Sequence, residues 1–214
     1  WVLDNYYVIY QAFRQVKVLA MFTTAPANIM SKTPVRSLED IQGLDLRASG
    51  GAAQILKAWV ANQVGMPMSD TPEALQKGVV QGLFSSLEVM KDLKFAESCG
   101  YITMTDTVIY PFAVVMNLDR WNALPPDVQK VMEDMAREQA EWTGNYMDQH
   151  VQASVDWSVK EHEVEIITLD ADAKAAWDRK LQFIVDNWVA EAKAKGFPAE
   201  EIVADIQKLT QSHQ

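Results

Sequence analysis

Gly43-Leu44-Asp45-Leu46-Arg47-Ala48-Ser49-Gly50-Gly51 joins a short apolar strand, one arginine and a glycine pair in nine residues. Leu44 and Leu46 alternate with Asp45 and Arg47, the two-residue period of a strand with one buried face. Ala52, Ala53, Ile55, Leu56, Trp59 and Val60 follow at helical spacing, and Ser49 or Gly50 is placed to cap a helix over 52–64. The order is therefore strand, turn, helix, with Arg47 near the carboxyl end of a strand and beside a helix start. Both positions favour anions in open α/β sheets. An arginine there can hold a carboxylate through two parallel N–H···O bonds. The other reading is a surface arginine at a strand end, and spacing alone does not choose between them.

Working outward, alternating strand and helix signals predict an α/β protein with largely parallel pairing. Residues 2–16 carry a wide apolar helical face, and Val18–Thr23 reads as a buried strand. The stretch through Pro26, Asn28 and Pro34 has the punctuation of a loop crossing between layers. Ser37-Leu-Glu-Asp40 has the form of a capping box closed by Gly43. Further on, strands are expected at Val79–Phe84, Tyr101–Thr105 and Tyr110–Asn117, with short helices after Thr71 and at about 87–94. Pro125 and Pro126 open a long periodic stretch through Val128, Val131, Met135, Trp142, Tyr146, Ala153 and Trp157. A single helix there exceeds about 45 Å at roughly 1.5 Å per residue, so it must span two lobes or bend at Gly144. Glu165–Leu169 reads as a strand, followed by one amphipathic helix from about 170 to 195 and a last one after Pro198.

Composition narrows the function. The 214 residues are 49% hydrophobic and 22% charged, with a formal net charge of -10. That balance fits a globular domain, repels nucleic acid, and includes no basic stripe with interleaved aromatics. No apolar run approaches the roughly 18 residues of a membrane span. Cys99 is the only cysteine, which excludes an internal disulfide and a cysteine-based zinc site. His150, His162 and His213 have no partners at metal-binding spacing, and no nucleophile elbow or phosphate loop is present. Neither a catalytic set, a metal nor a cofactor is expected. Most tryptophans, Trp59, Trp121, Trp142, Trp157, Trp177 and Trp188 among them, read as helical core. Phe84, Ser85, Met68 and Tyr110 lie instead at strand ends or turns, where binding residues collect. With Arg47, Ser49 and Thr24 they form the candidate ligand-binding set.

Three blocks in order carry a resemblance: Pro34-Val-Arg-Ser-Leu-Glu-Asp-Ile-Gln-Gly-Leu-Asp-Leu-Arg47, Ala74-Leu-Gln-Lys-Gly-Val-Val-Gln-Gly82 and Val115-Met-Asn-Leu-Asp-Arg-Trp-Asn-Ala-Leu-Pro125. Together they are similar to the extracytoplasmic solute receptors of TRAP transporters, the DctP-like family. The resemblance implies a two-lobed, type II-like periplasmic binding protein whose long helix spans both lobes. It closes over an organic acid and delivers it to membrane permease subunits, acting as a periplasmic monomer. On this reading residues 1–21 are a remnant of lobe I, 22–110 form lobe II, 111–150 supply a lobe I strand and the first part of the long helix, and 151–214 return to lobe II. The chain begins at Trp1 in mid-pattern, so a piece lacking the amino-terminal part of the first lobe is expected.

By the same resemblance Arg47 matches the arginine that pairs with the substrate carboxylate. Ser85 falls where many relatives have a ligand-binding asparagine in a Gly-Gln-Glu-Asn-Pro block; this chain reads Gly82-Leu-Phe-Ser-Ser86. Met68 falls where sugar-acid-binding relatives have a phenylalanine. Both departures remove polar groups and imply a monocarboxylate with an apolar or aromatic body. The alternative from another class is an α/β enzyme acting on small carboxylic acids, with Asp70 or Glu88 as general base beside Arg47.

Overall fold

The computed structural model describes residues 13–212, with only the backbone described for Arg137 and residues 210–212. The helix expected over 2–16 lies outside them except at its end, where residues 13–15 form a turn. Strand β1 (Val16–Thr23) pairs antiparallel with β7 (Pro111–Asn117), with Phe22 stacked on its register partner Phe112 at 5.3 Å. The other sheet contains β2 (Asn28–Ser31), β3 (Asp45–Arg47), β4 (Asn62–Val64), β5 (Gly82–Ser85), β6 (Tyr101–Met104) and β8 (Glu165–Thr168), in the order β4-β3-β5-β2-β6-β8.

Pairing within this sheet is mixed, which corrects the largely parallel expectation. β3 runs parallel to β4 and β5, and β6 runs parallel to β8, but β2 is antiparallel to both β5 and β6. The reason is β2 itself, a fully buried strand in the segment expected to be a loop. Four residues beginning with asparagine and ending with serine carry no periodic signal. Neighbouring strands on both sides define it.

The two-residue period then sorts side chains to two faces. Ile29 and Phe84 are register partners and pack with Leu46, Ile55, Leu56, Trp59 and Trp177. Met30, opposite Leu83 and Ile102, packs on the other face with Met90, Phe95, Val155 and Val164. Helix α1 (Ala52–Ala58) presents Ala52, Ile55 and Leu56 at i, i+3 and i+4 to the first face. Fully burying a side chain of this size contributes about 1.5–3 kcal/mol. The helix is shorter than the expected 52–64. Its chain turns back at Val60, in the left-handed region at φ 65°, and residues 62–64 become the edge strand β4. Gly51 rather than Ser49 or Gly50 occupies the N-cap, with no side-chain cap bond.

Helix α2 (Thr71–Gln76) and α3 (Val89–Asp92) follow the parallel strands, and α4 (Leu118–Asn122) follows β7. The Ser37–Asp40 capping box forms as expected around a turn: Ser37 N–H donates to Asp40 Oδ2 at 3.0 Å and Asp40 N–H to Ser37 Oγ at 3.3 Å. Helix α5 (Pro126–His162) is one unbroken element of 37 residues, about 55 Å long. Its first half packs on the β1/β7 pair, where Met132, Ala136, Gln139 and Ala140 line a groove with Leu19 and Phe22. Its second half places Val151, Val155 and Trp157 against the six-stranded sheet, and His150 Nε2 lies 2.9 Å from Asp92 on α3. The helix expected over 170–195 is two: α6 (Ala171–Arg179), capped by the Asp170 carboxylate, and α7 (Gln182–Ala194), before α8 (Ala199–Ser212). Trp59 and Trp177 meet edge to face at 4.7 Å within the core. Trp142, expected in the core, is 59% exposed and stacks on Tyr146, and Trp188 is also exposed.

Two segments and α5 carry the chain between the sheets. The segments are residues 24–27, leaving β1, and 105–110, leaving β6, and they are laced together. Thr24 N–H donates to Tyr110 O at 3.0 Å, Tyr110 N–H to Thr24 Oγ1 at 3.1 Å, and Ala27 N–H to Val108 O at 2.7 Å. The Asn28 side chain ties off the end, accepting from Thr105 and Asp106 N–H and donating to Asp106 Oδ1.

Candidate functional site

The strand ends meet at one edge of the six-stranded sheet. β3, β4 and β5 terminate there in Arg47, Val64 and Ser85. Asn28, the first residue of antiparallel β2, lies opposite Ser85, and β6 and β8 end beside it in the paired Met104 and Thr168. Both crossing segments leave from the same edge. It is the carboxyl end of the parallel strands, where open α/β sheets collect ligands.

Register decides which side chains share a side of that edge. Arg47 pairs with Leu83, so Ser85, two residues on, lies on the Arg47 face, and Phe84 lies on the other. The Phe84 ring is fully buried, edge-on to Trp59 with centroids 5.5 Å apart. Its place is in the packing beneath the strand, and it offers no surface at the edge. Ser85 is buried at the strand end, and Met68 is half-buried beside Met66 and Val64, with Thr71 Oγ1 3.9 Å from its sulfur. Ser49 is exposed on the turn before α1, and Thr24 is engaged through its hydroxyl in the crossing. Arg47 and Ser85 thus share one face at the strand ends and Met68 packs with the cluster on that face, whereas Tyr110 on the crossing packs with the Ile29 and Phe84 cluster.

Arg47 is 6% exposed, a charge withdrawn from water. Its Nε and Nη2 both donate to Met66 O, at 3.2 and 3.1 Å, which fixes the plane of the guanidinium. Among the described residues no carboxylate lies within ion-pair distance of it. A buried charge without a counter-ion is costly, so the arrangement calls for an anion. Burial pushes the Arg47 pKa down, and Tyr110 acts against that shift; burial likewise pushes the Tyr110 phenol up, with Arg47 acting against it. An arginine nevertheless remains charged at neutral pH, and a phenol so displaced remains protonated. Both neighbours are therefore hydrogen-bond donors there. The seven-residue α1 is too short to add a strong dipole, so the grip is the side chain's own.

Sequence reasoning missed two contributors. The Met66 carbonyl that aligns Arg47 is backbone and leaves no residue signature. Asn28 lay in the segment expected to be a loop, although an asparagine is the side chain that can satisfy two N–H groups and donate at once. The acids named for an enzyme do not serve Arg47: Asp70 accepts from Ser69 Oγ at 3.0 Å, and Glu88 is held by Ser86 Oγ. Among the described residues no three histidine, cysteine or carboxylate side chains gather as a metal site requires, and no helix is long and apolar enough to cross a membrane.

The fold has counterparts among known proteins. The chain is 50% identical to a TRAP periplasmic solute-binding protein from Desulfovibrio salexigens, whose crystal structure is an open complex with the C-terminus of a symmetry mate in the ligand-binding site. The TM-score is 0.82 over 95% of this chain and 64% of that one. A TRAP periplasmic solute-binding protein from Bordetella bronchiseptica, with bound (R)- and (S)-mandelate, shares the fold at 23% identity, TM-score 0.89, over 100% of this chain and 69% of that one. The 2,3-diketo-L-gulonate-binding periplasmic protein YiaO of Escherichia coli is 27% identical over 179 residues, 82% of this chain and 54% of that protein. The chain spans about half the length of the curated relatives it matches. All three are named for solute binding, and the family matched is one of solute-binding proteins, not of enzymes acting on small carboxylic acids. Since residues 8–192 match the family described as bacterial extracellular solute-binding protein, family 7 (DctP), the chain belongs to that family of solute-binding proteins.

Proposed function

We propose that this chain forms the greater part of a periplasmic receptor of a TRAP transporter, which binds an organic carboxylate and delivers it to the membrane permease subunits. The six-stranded sheet and carboxyl-terminal helices make one lobe. The β1/β7 pair and the first half of α5 belong to the other, and the cleft lies at the edge where the crossings leave. The observation that carries this reading is Arg47: a guanidinium withdrawn from water, aligned by Met66 O and, among the described residues, without a carboxylate partner. Closure of two lobes over the acid excludes water and strengthens the ion pair.

The chemistry around Arg47 favours a monocarboxylate with an apolar or aromatic body. Met68 and Met66 supply polarizable apolar surface, and β5 ends in the small hydroxyl of Ser85. In the Desulfovibrio relative the ligand-binding site holds the C-terminus of a symmetry mate, and a polypeptide C-terminus ends in a carboxylate. The test is mass spectrometry of ligand released on denaturing the purified chain, followed by calorimetry with mandelate, benzoate and glucuronate. An aromatic acid bound intact with one-to-one stoichiometry supports the reading. Preference for glucuronate removes the apolar-body claim, and binding of none of the acids, with no ligand released, removes the carboxylate claim. Sedimentation of a single 24 kDa species at working concentration tests the monomer.

A further inference from the structure

We propose that Gln63 is a positioning residue for the acid grip: its side-chain amide clamps the segment after β3 to the end of β4 and so sets where the Arg47 guanidinium points. The proposal rests on the carboxylate reading above. Arg47 spends Nε and Nη2 on Met66 O, and among the described residues Nη1 has no acceptor. A guanidinium is planar with its donors in a fixed fork, so the place of that one carbonyl fixes the direction of the corner left for a ligand. Met66 lies two residues past the end of β4, a three-residue edge strand that pairs with β3. Whatever ties that end of β4 to β3 therefore aims the grip.

Two hydrogen bonds make the tie. Ala48 N–H donates to Val64 O at 3.3 Å, a long bond, and Gln63 Nε2 donates to Ala48 O at 2.8 Å. Ala48 is fully buried and directly follows Arg47, so its carbonyl needs a donor, and the amide supplies one. An added Cβ at Gly65 would lie 3.2 Å from the same nitrogen, so the amide also rests on the link that leads to Met66. One half-buried side chain thus spans the residue after Arg47 and the link carrying the carbonyl that orients it. The other end of β4 has a tie of its own: Asn62 Nδ2 donates to Gly43 O and to Asp45 Oδ1, both at 3.1 Å. That tie holds the same strand at its amino end, away from Arg47, and so serves as the control.

The test compares the full 214-residue chain with Gln63→Met, which keeps the length of the side chain and deletes the donor, with Asn62→Ala, and with Arg47→Met. Mandelate and benzoate are titrated by calorimetry, melting temperatures are taken without acid, and the Arg47 Nε–H signal is followed by NMR. Gln63→Met and Asn62→Ala should both lower the melting temperature. Only Gln63→Met should also lower affinity, by about fivefold or more, and speed exchange of the Arg47 Nε proton. Wild-type affinity in Gln63→Met with binding lost in Arg47→Met overturns the proposal and leaves the carboxylate reading standing. An equal loss of affinity in Asn62→Ala overturns it as well, because any loosening of β4 would then suffice. Failure of the unmodified chain to bind either acid removes both readings. A second measurement does not depend on a variant folding: in the unmodified chain labelled at its glutamine and arginine side chains, saturating acid must shift the Gln63 amide signal together with that of Arg47 Nε. A Gln63 signal that stays fixed while the Arg47 signal moves also overturns the proposal.

Discussion

Replacing Arg47 with methionine separates affinity from stability, because the two respond to different terms. In the free protein the side chain is, among the described residues, a charge without a carboxylate partner at 6% exposure, and its removal relieves a desolvation cost of several kcal/mol. Against this, two charge-assisted bonds to Met66 O disappear, each worth about 1.5–3 kcal/mol, and that carbonyl loses its partner. The opposing terms are similar in size, so the stability of the acid-free chain should change by no more than about 1–2 kcal/mol. In the complex nothing offsets the loss. Truncating one partner of a hydrogen-bonded charge pair withdrawn from water costs about 2–5 kcal/mol. That is a factor of about 30 to 5000 in affinity. Calorimetry with mandelate gives the affinity, and thermal melting with and without the acid gives both stabilities. Arg47→Lys should retain part of the affinity, since an ammonium keeps the charge and loses the fork. Binding by Arg47→Met within threefold of wild type would refute the reasoning.

Other consequences follow from the packing. Gly82 lies where an added Cβ would run into Met30 O and sit 2.9 Å from Ser31 Cα, so Gly82→Ala must push β5 from β2 at a cost of about 1–3 kcal/mol, read from a urea midpoint. Phe84→Ala empties a fully buried site against Trp59 and should destabilise by about 3–5 kcal/mol in the same assay; a loss below 1 kcal/mol would mean the ring is not core. Ser154 Oγ on α5 is buried without a partner among the described residues, and Ser154→Ala should raise stability by about 1 kcal/mol. Burial pushes the Cys99 thiol up to about 12 from 9.0, with Lys32 pulling weakly the other way. The folded thiol keeps a proton that the unfolded one has lost, so its contribution is complete below about pH 9 and disappears as pH rises towards 12. Denaturant midpoints should fall across that window less steeply in Cys99→Ala, and an identical slope in both proteins would contradict it.

How far the sequence could be read depended on whether a residue's environment was made by near neighbours. The strand at Asp45–Arg47, the helix face Ala52, Ile55 and Leu56, the Ser37–Asp40 capping box and the 37-residue helix all arise from local period and local hydrogen bonding, and all were legible. Arg47 was legible as the last residue of a recognisable strand for the same reason. The central strand Asn28–Ser31 was not, because its four residues owe their conformation to β5 and β6, which lie some fifty to seventy positions away in the chain. Phe84 looked like a binding residue by position, and only register shows it facing Trp59 instead of the edge. The carbonyl that orients Arg47 comes from the β4–α2 link, brought to it by the pairing of β3 with β4. Local chain order determined that an arginine would stand at a strand end in an α/β protein. Tertiary contacts decided that it would be buried, aligned and, among the described residues, without a counter-ion, because desolvation depends on everything that surrounds the charge and not on its neighbours in sequence.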